Sequence, residues 1–190
     1  MTMDQLIKKN TCSDAEIKTL RWLDDVVIGL NLCPFAAKPR KRKQIYLDIY
    51  NGNESELINH LVNALEELDA ISVSNRETTL IVLTQCLQSF DNYNQFLADA
   101  DWVIERGEWS GIYQVASFHP DYQFAGSHSQ SAENLTNRSP FPILHLLREA
   151  SLEQALDKYP NPEHIPEDNI KKVNSLTEQE KYQLFPYLFA

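Results

Sequence analysis

The residue types best suited to chemistry concentrate between Phe118 and Glu149, where the chain reads FHPDYQFAG, a polar stretch, and ENLTNRSPFPILHLLRE. His119, Asn134, Asn137, Arg138, His145 and Arg148 stand here beside residues that favour burial. A guanidinium removed from water needs a partner, either a protein carboxylate or a ligand anion. An imidazole titrates near neutrality and serves as general base, metal ligand or hydrogen-bond donor. The combination points to a small anionic molecule, bearing phosphate or carboxylate. Arg138 and Arg148 would hold it with Asn134 and Asn137, and His119 and His145 would supply acid–base chemistry. Each group also has a structural role to weigh. Arg148 has Asp121, Glu149 and Glu105 as internal partners, and His145 suits a core hydrogen bond. His119 suits a turn with Pro120, and the two asparagines suit turns beside a solvated Arg138.

Cys33, in Asn-Leu-Cys-Pro-Phe, is the candidate reactive thiol. Its place at a helix exit raises rather than lowers a thiol pKa, so a small buried hydrophobe is the competing role. The three cysteines (Cys12, Cys33, Cys86) are odd in number and widely spaced, without a CxxC pair. That argues against a disulfide framework and a local zinc knuckle, leaving a long-range set of Cys33, His119 and His145 as the metal alternative. Only five glycines are present, with neither GxGxxG nor GxxxxGK[ST], which excludes the nucleotide chemistry of those loops. No cofactor is implied, and the residues alone leave open whether the chain is an enzyme.

The formal net charge is −10, which disfavours nucleic acid and anionic membrane as partners. Against that background Lys38-Pro-Arg-Lys-Arg-Lys43 carries five cations in six residues. It serves as a solvated loop, a lid, or a docking patch for an acidic protein, the last giving a protein-interaction module as the alternative function. No apolar run reaches membrane-spanning length, and the opening residues MTMDQLIKKNTCSDAE lack the apolar core of a secretory signal. A cytoplasmic location is the expectation.

The elements that must position these groups follow from periodicity. Ser13 and Glu16 give a capping-box pattern before Ile17, Leu20, Leu23, Val27 and Leu30, which predicts a helix over about 14–30, ending near Leu32-Cys33-Pro34 where proline cannot continue it. IYLDIY at 45–50 predicts a strand, Asn51-Gly52 a turn, and Asn53 the cap of a helix carrying Leu57, Ile58, Leu61, Leu65 and Leu68. Residues 79–83 are continuously apolar, the pattern of a central strand covered on both sides. Asp91 is the expected cap of a third helix with Tyr93, Phe96, Leu97, Ala100 and Ile104 inside, and residues 112–118 predict a third strand. Ser139-Pro140 reads as a cap and first helical position for an apolar helix to about Glu149. That would set His145 and Arg148, three apart, on one face. The resulting expectation is one α+β domain over 1–190, a two-layer sandwich with a small, mainly parallel sheet from β-α-β units. A ferredoxin-like arrangement is the close alternative. Residues 159–190 form a C-terminal extension whose aromatic end docks on the core.

Trp22 with Asn31-Leu-Cys-Pro-Phe35, Phe118-His-Pro-Asp-Tyr-Gln-Phe124, and Asn134-Leu-Thr-Asn-Arg-Ser-Pro-Phe-Pro-Ile-Leu-His-Leu-Leu-Arg-Glu149 together resemble an uncharacterised bacterial family, domain of unknown function 1415. The resemblance covers nearly the whole chain. It implies a conserved bacterial domain of this size and carries over no reaction, ligand or cofactor.

Overall fold

The computed structural model describes residues 13–189, so Cys12 and the opening residues read above lie outside it. The Ser13 hydroxyl accepts the Glu16 amide at 3.2 Å and opens helix α1 (Asp14–Arg21). From Trp22 to Ile28 the coil widens into a π-helix, a rare form that recurs at functional sites. The buried face of this pair runs through Ala15, Thr19, Trp22, Leu23, Val26 and Val27, whereas Ile17, expected inside, is 54% exposed. The short helix α2 (Ala37–Lys41) carries most of the basic run, and β1 (Ile45–Tyr50) follows. The Asn53 side chain then caps α3 (Glu54–Ala70) by accepting the Glu56 amide. Strand β2 (Thr78–Leu83), helix α4 (Phe90–Arg106) and strand β3 (Tyr113–Phe118) complete the regular first half. A long irregular segment with one 3-10 turn (Ala132–Thr136) leads to β4 (Ile143–Arg148), which runs directly into α5 (Glu149–Leu156). Helices α6 (Ile165–Asn174) and α7 (Glu178–Leu184) follow.

The strand at 143–148 corrects the helix expected there. Ser139 is fully buried, and its hydroxyl donates to the Phe141 carbonyl instead of capping a helix. Pro140 and Pro142 remove two amides where a helix would begin, and ILHLLR enters the sheet between two partners. A short, continuously apolar run suits a doubly covered strand as well as a buried helix, and sheet pairing decides.

The four strands stand in the order β1-β2-β4-β3. Only β1 and β2 are parallel; β4 runs antiparallel to both β2 and β3. The sheet is therefore mixed rather than mainly parallel, because β4 wedges between the second and third strands. The order βαβαββ and the parallel pair also depart from a ferredoxin-like arrangement.

Alternate residues of a strand face opposite sides, and here both sides are covered. Ile81, Leu83, Leu144 and Leu146 pack beneath α3 and α4 with Leu57, Leu61, Leu65, Tyr93 and Phe96. Leu80, Val82 and Ile143 pack on the other side with Trp22, Leu23, Val26, Leu135, Val173 and Phe185. Two layers thus become three. The added layer is built from the π-helix, the 3-10 turn and the C-terminal segment, and Val173 and Phe185 are both fully buried in it.

Candidate functional site

The strand geometry of β4 separates the residues that a helix would have joined. His145 faces the Trp22 layer, with its ring 6.2 Å from that of Phe118. Arg148, three residues on, faces the α3 layer, where its Nη2 donates to the carbonyls of Leu68 and Ile71 (2.5 and 2.7 Å) and its Nη1 to the Tyr113 hydroxyl (3.0 Å). It closes the C-terminal end of α3, whose last carbonyls have no helical partner. The carboxylates of Asp121, Glu149 and Glu105, considered from sequence, do not pair with it.

His119 lies beyond the end of β3, fully buried, with its ring 5.1 and 5.3 Å from those of Tyr93 and Phe90. The Asp121 amide donates to Nδ1 at 2.9 Å, so Nε2 carries the proton and donates to the Leu87 carbonyl at 3.2 Å. Burial lowers its pKa, against the opposing pull of the Leu87 carbonyl and Asp121. In His145 the same logic runs through Thr78. The single hydroxyl proton of Thr78 goes to the Leu146 carbonyl, so its oxygen accepts from His145 Nε2 at 2.6 Å. Burial brings the pKa of His145 down to about 4. Both imidazoles are neutral and employed within the fold.

Asn134 and Arg138 knit the irregular segment. The fully buried Asn134 amide accepts from the Phe124 amide and the Ser127 hydroxyl and donates to the His128 and Ser129 carbonyls. Arg138 donates to the Tyr122 and Ser129 carbonyls at 3.3 and 2.7 Å. The Arg138 carbonyl accepts in turn from Trp22 Nε1 (2.9 Å) and the Tyr187 hydroxyl (3.1 Å), joining three distant parts of the chain.

Two residues singled out from sequence do meet, at a cavity of about 500 Å³. Cys33 enters it from the turn after the π-helix and Asn137 from the segment before β4. Asn137 is fixed from behind: its Nδ2 donates to the Ser117 carbonyl at 3.1 Å, and its Oδ1 accepts from Thr136 at 3.0 Å. Burial pushes the Cys33 thiol pKa up, and the amides of Phe35 and Ala36 only partly offset this. The thiol is therefore protonated at neutral pH, a soft and weakly polar contact rather than a ready nucleophile. The walls are apolar, with Val27, Leu32, Phe118 and Phe124 on one side and Ile165 and Ile170 of α6 on the other. Glu133 is the only charged side chain that lines it, and no residue among those described forms an ion pair with it.

The α6 wall was not foreseen: residues 159–190 were expected only as an extension docking through its aromatic end, with no helix drawn at 165–174. Its signals were Pro166 at the start, Glu167 and Asp168 in the first turn, and Lys171 and Lys172 in the last. Asn169 of this helix donates to the Leu32 carbonyl at 2.7 Å and so ties the wall to the turn that carries Cys33.

The family model described as protein of unknown function (DUF1415) matches residues 14–183. The chain belongs to this family. The match spans every strand and both cavity walls. Comparison with curated proteins and with solved structures returned no match. No helix among the described residues is long and apolar enough to cross a membrane. Nor do three or more His, Cys, Asp or Glu side chains among them gather in a metal-holding cluster; Cys33, His119 and His145 lie in different surroundings.

Proposed function

We propose that this protein binds a small, mainly apolar molecule carrying an amine or another strong hydrogen-bond donor. The cavity beside Cys33 and Asn137 would be the seat. The observation that carries the reading is its lining: six large apolar side chains, a few amide and hydroxyl groups, and one carboxylate without a cation beside it. Concave, mostly apolar sites with a few convergent polar groups are the usual form of small-molecule pockets, and this volume falls in their range. A ligand amine would pair with Glu133 and orient against Asn137, while its hydrocarbon part fills the space between Phe118 and Ile170. An anion at this place has less support, since the lining holds no Arg, Lys or His. The two arginines expected to hold one donate to backbone carbonyls elsewhere. Binding rather than catalysis is proposed, because neither histidine lines the space and the Cys33 thiol stays protonated.

The test is thermal unfolding against a panel of aromatic and cycloaliphatic amines, with the matching alcohols and carboxylates. An amine at about 100 times its Kd should stabilise the fold by about 2.7 kcal/mol. Filling the cavity with Ile170→Trp should abolish the effect, and Glu133→Gln should remove the preference for amines over alcohols. Equal protection of the wild type and the Ile170→Trp variant would refute the reading.

A further inference from the structure

A second cavity, about 370 Å³, opens at the entrance to β1, where Lys43, Gln44, Tyr46, Asn75 and Arg76 line it. It lies at the opposite end of the sheet from the first. Ile45 pairs with Thr78 at the start of both strands, whereas Phe118 ends β3, which points the same way. Six residues of strand separate the two ends by about 20 Å. Both charged side chains that line this cavity are cations.

The cations are held ready rather than consumed. The Arg76 guanidinium lies 3.8 Å over the Tyr46 ring, which fixes its plane. Among the described residues its only carboxylate partner is Glu67 at 3.3 Å, which is 63% exposed and so competes weakly with a ligand. Lys43 has no ion-pair partner among the described residues, and its backbone takes φ +58, a conformation that side-chain-bearing residues seldom adopt. Opposite them, the 71–76 loop is clamped from two sides. The Gln44 amide donates to the Val73 and Ser74 carbonyls at 3.1 and 2.8 Å, and Arg148 donates to the Ile71 carbonyl from beneath. The basic run leads directly into this rim. Arg40 is taken by Asp24 at 2.7 Å, but Lys38, Lys41 and Arg42 form no ion pair among the described residues. In a chain of net charge −10, this rim gathers positive potential against the rest of the surface.

We infer that this cavity is a binding site for a small molecule carrying a phosphate group, clamped between Lys43 and Arg76. A planar guanidinium beside an ammonium matches a phosphate dianion in charge and in hydrogen-bond geometry. The Asn75 amide supplies a neutral contact at the rim, Gln44 holds the loop that carries it, and the exposed Lys41 and Arg42 steer the anion in. The basic run, unplaced by sequence, thereby becomes the approach to a site. This inference stands apart from the amine cavity, so either can fail without the other.

The experiment is an amide chemical-shift titration of the full chain at low, fixed ionic strength. Its arms are inorganic phosphate, glycerol phosphate, sulfate, succinate and an acidic peptide. Saturable shifts centred on Gln44, Asn75 and Arg76, with phosphate or glycerol phosphate preferred, support the site. Stronger binding of glycerol phosphate marks an organic phosphate as the ligand, whereas equal binding marks the free anion. Lys43→Gln changes an exposed residue and leaves the fold intact; it should weaken binding at least about tenfold. Arg76→Gln should weaken it further, and Lys38→Gln by much less. Non-saturating shifts, unchanged affinity in Lys43→Gln, or preference for succinate or the peptide would overturn the inference.

Discussion

Acid should loosen this fold through one imidazole, and the effect can be worked out from its surroundings. His145 donates from Nε2 to Thr78 and faces Phe118, and only part of the residue reaches solvent. A second proton would place a full charge where desolvation is the dominant cost, which holds the folded pKa near about 4 against 6.5 when exposed. Between those values the unfolded chain binds more protons than the folded one, so stability falls as pH falls. The contribution is nearly intact at pH 7, about 2 kcal/mol is lost by pH 5, and about 3 kcal/mol is lost below pH 4. His119 shifts in the same direction and adds to the slope. The assay is urea unfolding at a series of pH values for the wild type and for His145→Gln, whose amide can donate to Thr78 without titrating. Subtracting the two curves removes the carboxylates common to both. The variant should be the less pH-sensitive protein between pH 7 and 5 by about 2 kcal/mol. Parallel curves, or an imidazole resonance for His145 that titrates near 6.5, would refute the reasoning.

Two further outcomes follow from buried hydrogen bonds. Asn134→Ala should cost about 2 kcal/mol or more, because it leaves the Phe124 amide and two carbonyls without their partner; amide exchange confined to 119–131 should speed up, and unchanged exchange there would contradict the role. Trp22→Phe and Tyr187→Phe should each cost about 1 kcal/mol or less in denaturant unfolding, since the other donor still serves the Arg138 carbonyl; the double variant should exceed their sum by about 1 kcal/mol, and simple additivity would show that the shared acceptor is unimportant.

Much of the scaffold was legible from local rules. Asn53 caps α3 as its spacing predicts, and Leu57, Leu61, Leu65 and Leu68 all turn inward. The uninterrupted TTLIVL run is buried at every position, as a strand covered on both sides requires. The site was less legible. His119, His145 and Arg148 looked like one constellation, yet each is held by its own set of carbonyls, amides or hydroxyls and none meets another. Cys33 and Asn137 drew attention for other reasons, and the cavity they share was visible in neither motif.

Side-chain periodicity is a property of the chain by itself, so helices α1, α3 and α4 and strands β1, β2 and β3 could be drawn from residues alone. ILHLLR has no such periodicity, being apolar at nearly every place, and its conformation depended on whether two strand edges stood ready to receive it. They did, in β2 and β3, and that pairing sent His145 and Arg148 to opposite faces of the sheet. It also opened the far face to the π-helix and α6, whose meeting encloses the cavity. Backbone hydrogen bonds between distant segments made that choice, and no local pattern encodes them.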